Sequence, residues 1–300
     1  MNEPRSQFVP IRDLRYHVRT WGDPASRKLL LLHGWMDVSA SFQFLVDALR
    51  RKWCVLAPDW RGFGLTEWPR DGYWFADYLA DLDALTRTLA PNEMIDVAGH
   101  SLGGNVALLY AGLRPERVRA VVSLDGFGIP AEDSGRAPDK LSAWLDALAD
   151  PPALASYADF AAVADRLQKN NPRLPRDRAA FLAAHWGEQL ADGSVRLRAD
   201  PRHKRPFPIL YRLEEVFAIW RKIVAPTLWI GASESRIAKW LGNRAGGDNE
   251  VVLRMAHISG ARLVTIENAG HMLHHDQPEA VADALENFLC AARNDVGVSQ

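Results

Sequence analysis

Short apolar runs alternate with longer amphipathic stretches through the first 125 residues. Leu14 to Trp21 alternates with period two and stops at the turn signal Gly22-Asp23-Pro24, while Leu29 to Leu32 and Trp53 to Ala57 read as buried strands, the second ended by Pro58. Phe42 to Leu49 reads as a short helix. Between Tyr73 and Leu89 the apolar positions Phe75, Tyr78, Leu79, Leu82, Leu85 and Leu89 recur every three or four residues, which predicts a longer one. Met94 to Ala98 is the next predicted strand, Leu102 to Leu113 the next helix and Val118 to Leu124 the strand after that. Strands separated by helices predict an α/β, doubly wound, mostly parallel sheet.

The pattern changes from Gly126 to Ile223, a stretch that holds nine of the chain's 18 prolines. Helical segments, Leu141 to Leu148, Phe160 to Leu167, Arg178 to Gln189 and Glu214 to Arg221, lie between them without a convincing buried strand. Such a proline density predicts short helices joined by rigid turns. Thr227 to Ile230 and Arg262 to Ile266 then resume the strand pattern, and Glu279 to Ala291 closes it with an amphipathic helix. The expected organisation is a core domain of residues 1–125 and 224–300, with residues 126–223 forming a helical cap inserted after the sixth strand.

Composition narrows the function classes. With 36 Lys and Arg against 37 Asp and Glu, the net charge is -1, so no overall charge favours nucleic acid or an anionic membrane. Cys54 and Cys290 form no C-x-x-C pair and no disulfide framework, which fits a reducing compartment. No apolar segment is long enough to span a bilayer, and the first residues lack a signal-peptide h-region. A cytoplasmic protein acting on a small molecule is expected. Arg166 to Lys222 is locally basic, with thirteen Lys/Arg against six Asp/Glu, and reads first as a solvated helical face, with an anionic substrate or surface as the alternative.

The sharpest chemical signal is Gly99-His100-Ser101-Leu102-Gly103-Gly104, lying between a predicted strand and a predicted helix. It fits G-x-S-x-G, in which a serine occupies a strained strand-to-helix turn flanked by residues small enough for close chain approach. Ser101 is therefore the expected nucleophile. The Leu102 N–H, at the helix N-terminus, is one expected oxyanion donor, and the Trp35 N–H in His33-Gly34-Trp35-Met36-Asp37 is the second. His33 itself reads as a structural hydrogen-bonding group.

A serine needs a base. His271 follows the last predicted strand and precedes the final helix, as expected from the serine, acid, histidine order of G-x-S-x-G hydrolases. Glu234, after the Thr227 to Ile230 strand, is favoured as the acid, with Asp125, after the Val118 to Leu124 strand, as the alternative. His274, His275 and Asp276 raise a metal reading, but no H-E-x-x-H spacing supports it, so no metal or other cofactor is expected and the two histidines are taken to line or cap the site.

With these residues placed, the sequence resembles an alpha/beta-hydrolase fold enzyme along nearly its whole length. The resemblance rests on His33-Gly34-Trp35, on Asp59-Trp60-Arg61-Gly62-Phe63-Gly64, on the Gly99 to Gly104 elbow, and on Gly270-His271 with Asp276-Gln277-Pro278-Glu279. Within that superfamily, His33 to Asp37 and Leu124-Asp125-Gly126-Phe127-Gly128 are similar to the serine hydrolase-like and carboxylesterase branch. The family's acid usually stands at the position of Glu234 and is commonly aspartate, which keeps Asp125 open.

The resemblance implies carboxylester hydrolysis through an acyl-enzyme. Thioester, lactone or carbon–carbon bond hydrolysis on the same residues is the enzymatic alternative, and a non-catalytic ligand receptor on the same fold is the alternative of another class. Eleven tryptophans stand out against six tyrosines. Trp53 and Trp229 fall on predicted buried strands, whereas His100, Trp60, Trp144 and Trp186 are expected to line an aromatic substrate pocket between cap and sheet.

Overall fold

The structure, a computed structural model, describes residues 2–242 and 250–295. Among the described residues, ten strands form in chain order: β1 (Arg5–Ile11), β2 (Leu14–Trp21), β3 (Lys28–Leu32), β4 (Cys54–Pro58), β5 (Ile95–His100), β6 (Val118–Leu124), β7 (Gly187–Gln189), β8 (Val195–Leu197), β9 (Thr227–Ala232) and β10 (Arg262–Ile266). Eight of them build one sheet in the order β1-β2-β4-β3-β5-β6-β9-β10. The β1–β2 and β2–β4 pairs are antiparallel and the rest parallel. This is the expected α/β, doubly wound, mostly parallel sheet.

The all-apolar strand β3 shows why the sheet has two cores. Successive side chains point to opposite faces. Leu30 and Leu32 join the core containing Leu82, Leu85, Val106 and Tyr110, from α2 (Phe75–Leu89) and α3 (Leu102–Leu113). Leu29 and Leu31 join the opposite core, with Leu45 of α1 (Gln43–Ala48) and Leu285 and Leu289 of α11 (Pro278–Asp295). A strand buried on both faces must read as a continuous apolar run, and this one does.

Several elements depart from the sequence reading. β1 was not expected, because Arg-Ser-Gln-Phe-Val-Pro-Ile is polar and contains Pro10; as an exposed edge strand it tolerates both. The stretch 126–223 contains α4 (Ala137–Ala149), α5 (Phe160–Asn170) and α6 (Arg176–Trp186), but also the short antiparallel hairpin β7–β8 where only helix was expected. Its last helix, α7 (Leu213–Trp220), joins the sheet's own core through Phe217 and Trp220. It crosses α3 so closely that a Cβ at Gly112 would lie 2.3 Å from the Ile219 carbonyl oxygen.

The Asp59 to Gly64 segment is structural. Asp59 accepts hydrogen bonds from the Ser39 N–H (2.6 Å), the Leu65 N–H (2.9 Å) and His17 Nδ1 (2.7 Å), while Arg61 forks onto buried Asp81 at 2.6 and 2.7 Å. Burial opposes ionisation of Asp59, but the bond and charge of His17 prevail and hold its carboxyl well below the usual range.

Candidate active site

The ends of the parallel strands meet where the chain reverses from sheet to helix, the usual position for a site in this architecture. β5 runs directly into Ser101, whose backbone has φ 52° and ψ -113°, a conformation that costs a non-glycine residue roughly 1–3 kcal/mol and lifts the side chain out of the turn. Two glycines make the turn sterically feasible. A Cβ at Gly99 would lie 2.3 Å from the Gly103 backbone, and one at Gly103 would lie 2.1 Å from the Leu32 carbonyl oxygen. Ser101 and Leu102 are both half-buried, so the start of α3 stays open to solvent. As the first residue of α3, Leu102 has an N–H with no intrahelical acceptor.

The loop after β3 lies against this turn. A Cβ on Gly34 would sit 3.4 Å from Ser101 Cβ, and the next residue, Trp35, is 53% exposed. His33 is buried and fully committed: its Nδ1–H donates to the Gly34 carbonyl (2.7 Å), and its Nε2 accepts the Trp60 N–H (2.8 Å). Burial lowers its pKa to about 4.

The decisive pairing is at His271. Its Nδ1 lies 2.7 Å from Asp125 Oδ2, at the end of β6, and Asp125 is 1% exposed. The Ser235 hydroxyl donates to the same oxygen at 2.5 Å, and the Asp125 N–H donates to the Ile230 carbonyl at 2.8 Å. Asp125 also holds a positive φ of 50°. The favoured expectation of Glu234 is corrected here: its carboxylate pairs instead with Arg173 of the 126–223 stretch, and its side chain is 49% exposed. The two loops follow neighbouring strands, and β6 rather than β9 delivers its carboxylate to the ring. Nothing local in the sequence marks Ser235 as a partner of this carboxylate.

The pocket expectation also changes. Trp60 is fully buried, its indole N–H donating to the His33 carbonyl (2.9 Å), and His100 is 2% exposed with its Nε2 2.8 Å from the His271 carbonyl oxygen. Both belong to the core beneath the site. Trp144 and Trp186 are half-buried on α4 and α6, with the Trp186 indole N–H reaching Ser41 Oγ at 3.4 Å. A small cavity lined by Arg19, Asp59, His185 and Arg198 contains neither Ser101 nor His271, so concavity alone does not mark the site. Arg173, Arg176, Arg196, Arg202 and Arg212 of the basic stretch each pair with a carboxylate, as a solvated face would.

His274 and His275, on the single turn α10 (Leu273–Asp276), are buried rather than lining an open site, and Asp276 caps the loop by accepting the Gly270 N–H (2.8 Å). Burial, reinforced by neighbouring histidines, drives His100 and His274 well below the ordinary imidazole range. Burial also raises Asp37 to about 7.

Comparison with known proteins gives the fold a family. A sequence model of the alpha/beta hydrolase fold matches residues 28–278. The chain belongs to the alpha/beta-hydrolase family. A serine hydrolase-like protein of Danio rerio is 28% identical over 314 residues, covering 100% of this chain and 93% of its own. The 2-(acetamidomethylene)succinate hydrolase of Mesorhizobium japonicum is 29% identical over 290 residues, 95% of each chain. Among solved structures, a thioesterase domain from the curacin biosynthetic pathway superposes with a TM-score of 0.83 at 23% identity, covering 95% of this chain and 100% of that one. The likeness to that structure establishes the shared fold. No helix among the described residues is long and apolar enough to cross a membrane.

Buried histidines make the stability of this alpha/beta-hydrolase fold depend on pH. Burial lowers His33 to about 4 and His203 to about 3, both below the ordinary 6.5. Below pH 6.5 the unfolded chain therefore binds protons that the folded rings refuse, and stability falls as the pH drops toward those values. Asp37, raised to about 7, opposes this by favouring the folded state as pH falls below 7. His185 and His275, lowered to about 4 and about 3, act in the same direction as the first two rings, so the depressed rings outnumber the one raised carboxyl and the net effect between pH 6.5 and 4.5 is a loss of stability. Urea midpoints measured across that interval should fall accordingly; a flat profile would contradict the buried neutral rings.

Proposed function

We propose that this alpha/beta hydrolase is a serine hydrolase that cleaves a carboxylic ester of a small to medium apolar substrate through an acyl-enzyme. The observation that carries the reading is the 2.7 Å bond between His271 Nδ1 and buried Asp125, with the His271 ring centroid 4.7 Å from that of His100, the residue before a serine held at φ 52° at the head of α3. Asp125 fixes the His271 tautomer with Nε2 bare and stabilises the imidazolium that forms. His271 takes the proton from Ser101 Oγ as that oxygen attacks the ester carbonyl. The N–H groups of Leu102 and Trp35 stabilise the developing oxyanion. The alcohol leaves with the proton that His271 returns, and water, activated by the same ring, releases the acid. The names of the relatives support hydrolysis but not one bond type, and the choice of ester rests on the serine chemistry.

A chain-length series of p-nitrophenyl esters, run beside fluorophosphonate labelling, tests this. The expected result is stoichiometric labelling at Ser101 and turnover that varies with acyl length. Tight ligand binding with neither labelling nor turnover would instead point to a receptor. The half-buried Trp144 and Trp186 are proposed to bound the acyl group. Trimming either to alanine should shift the preferred chain length, and unchanged preference in both variants would return them to a packing role.

A further inference from the structure

We propose that Asp37, His100 and His274 form a binding site for one divalent transition cation of the zinc type, beneath the nucleophile turn. Each offers one ligand atom, and these atoms lie within 4.8 Å of one another. The residues come from three separate segments: the loop after β3, the last residue of β5, and α10. All three side chains are buried, with exposures of 3%, 2% and 0%.

The hydrogen bonding leaves a bare lone pair on His100 and unpartnered atoms on Asp37 and His274. Because a carbonyl only accepts, the 2.8 Å bond to the His271 carbonyl fixes the His100 proton on Nε2 and leaves Nδ1 a bare lone pair. That Nδ1 has no partner, nor has Asp37 Oδ2, nor either ring nitrogen of His274. The other Asp37 oxygen is held by the Val38 N–H at 2.7 Å and by the Ser41 hydroxyl. Each buried polar atom left without a partner costs about 1–3 kcal/mol, and an electron-poor guest would satisfy one lone pair from each of the three residues. The surrounding bonds also match those of a ligating shell, in which an imidazole donates its far N–H to a backbone carbonyl and a carboxylate is steadied on its other oxygen. Two imidazoles and one carboxylate select zinc, cobalt, nickel or copper over magnesium or calcium, which prefer all-oxygen sites. Metal–ligand bonds of about 2.0–2.2 Å would draw the three segments inward from their 4.8 Å spread. The site would thus tie together the loop carrying Trp35, the nucleophile turn and the histidine loop.

The proposal does not depend on Ser101 chemistry, so Ser101→Ala protein, freed of metal by chelator dialysis, is titrated with Co²⁺ and then Zn²⁺. The expected result is one equivalent of Co²⁺ with the visible absorption of a low-coordinate nitrogen–oxygen site, displaced by Zn²⁺, together with a rise in Tm. Asp37→Asn and His274→Gln should each weaken binding at least about 100-fold, while His275→Gln, one residue outside the set, should not. If His274→Gln fails to fold, Asp37→Asn decides, because it preserves shape and the Val38 contact side. Absence of the cobalt band would assign the cluster to bridging water and overturn the proposal. Binding that persists in the folded Asp37→Asn variant would mean an adventitious surface site and overturn it equally.

Discussion

Replacing Ser101 with alanine is expected to lower turnover of an activated ester by about 10⁵- to 10⁶-fold, leaving only what substrate positioning and oxyanion donors supply. The loss should come without loss of fold. Serine and alanine both carry a Cβ, so each bears the same strain at φ 52°, and the turn's hydrogen bonds are made by backbone: the Ser101 N–H to the Leu124 carbonyl at 2.9 Å, and the Asn105 N–H to the Ser101 carbonyl at 3.0 Å. The check pairs kcat for p-nitrophenyl acetate with a urea midpoint on the same preparation. Turnover or fluorophosphonate labelling that survives in a folded Ser101→Ala protein would place the nucleophile elsewhere.

Asp125→Asn should cost about 10³- to 10⁴-fold in kcat, because an amide no longer fixes the imidazole tautomer or stabilises its charged form. Glu234→Gln should cost less than about tenfold. Its pairing with Arg173 joins two side chains 49% and 36% exposed, a class of contact that typically contributes no more than about 1 kcal/mol. Measured side by side on one activated ester, the two variants should differ by at least about a hundredfold. Equal losses, or the reverse order, would reject the assignment of Asp125 as the acid.

The residues explain why this choice was not visible in the sequence while much else was. The Gly99 to Gly104 elbow was legible because its requirements are local: a preceding apolar strand, a following helix, and glycines where Cβ atoms would clash. Leu29 to Leu32 was legible because burial on both faces forces an unbroken apolar run. Asp125 and Glu234, by contrast, both end strands pointing the same way, and which carboxylate meets His271 is set by how neighbouring loops lie in space. Trp60 failed for a related reason, since its position beside a glycine turn said nothing about the direction of its ring. The Asp37, His100 and His274 cluster left no trace, being assembled from three distant segments without a shared spacing.

The proposed catalytic residues are not anchored equally. Ser101 and Asp125 cap adjacent strands whose ladder runs to the His100–Leu124 pair, so their separation is set by one rung of the sheet. The histidine loop is instead tethered to the 126–223 stretch: Asn171 Nδ2 donates to Asp276 at 2.6 Å, and Arg178 donates to the His275 carbonyl at 2.7 Å. The position of the base thus depends on Asn171 and Arg178, whereas that of the nucleophile and acid does not. Loss of either tether is therefore expected to misplace the base while the nucleophile and acid keep their register in the sheet.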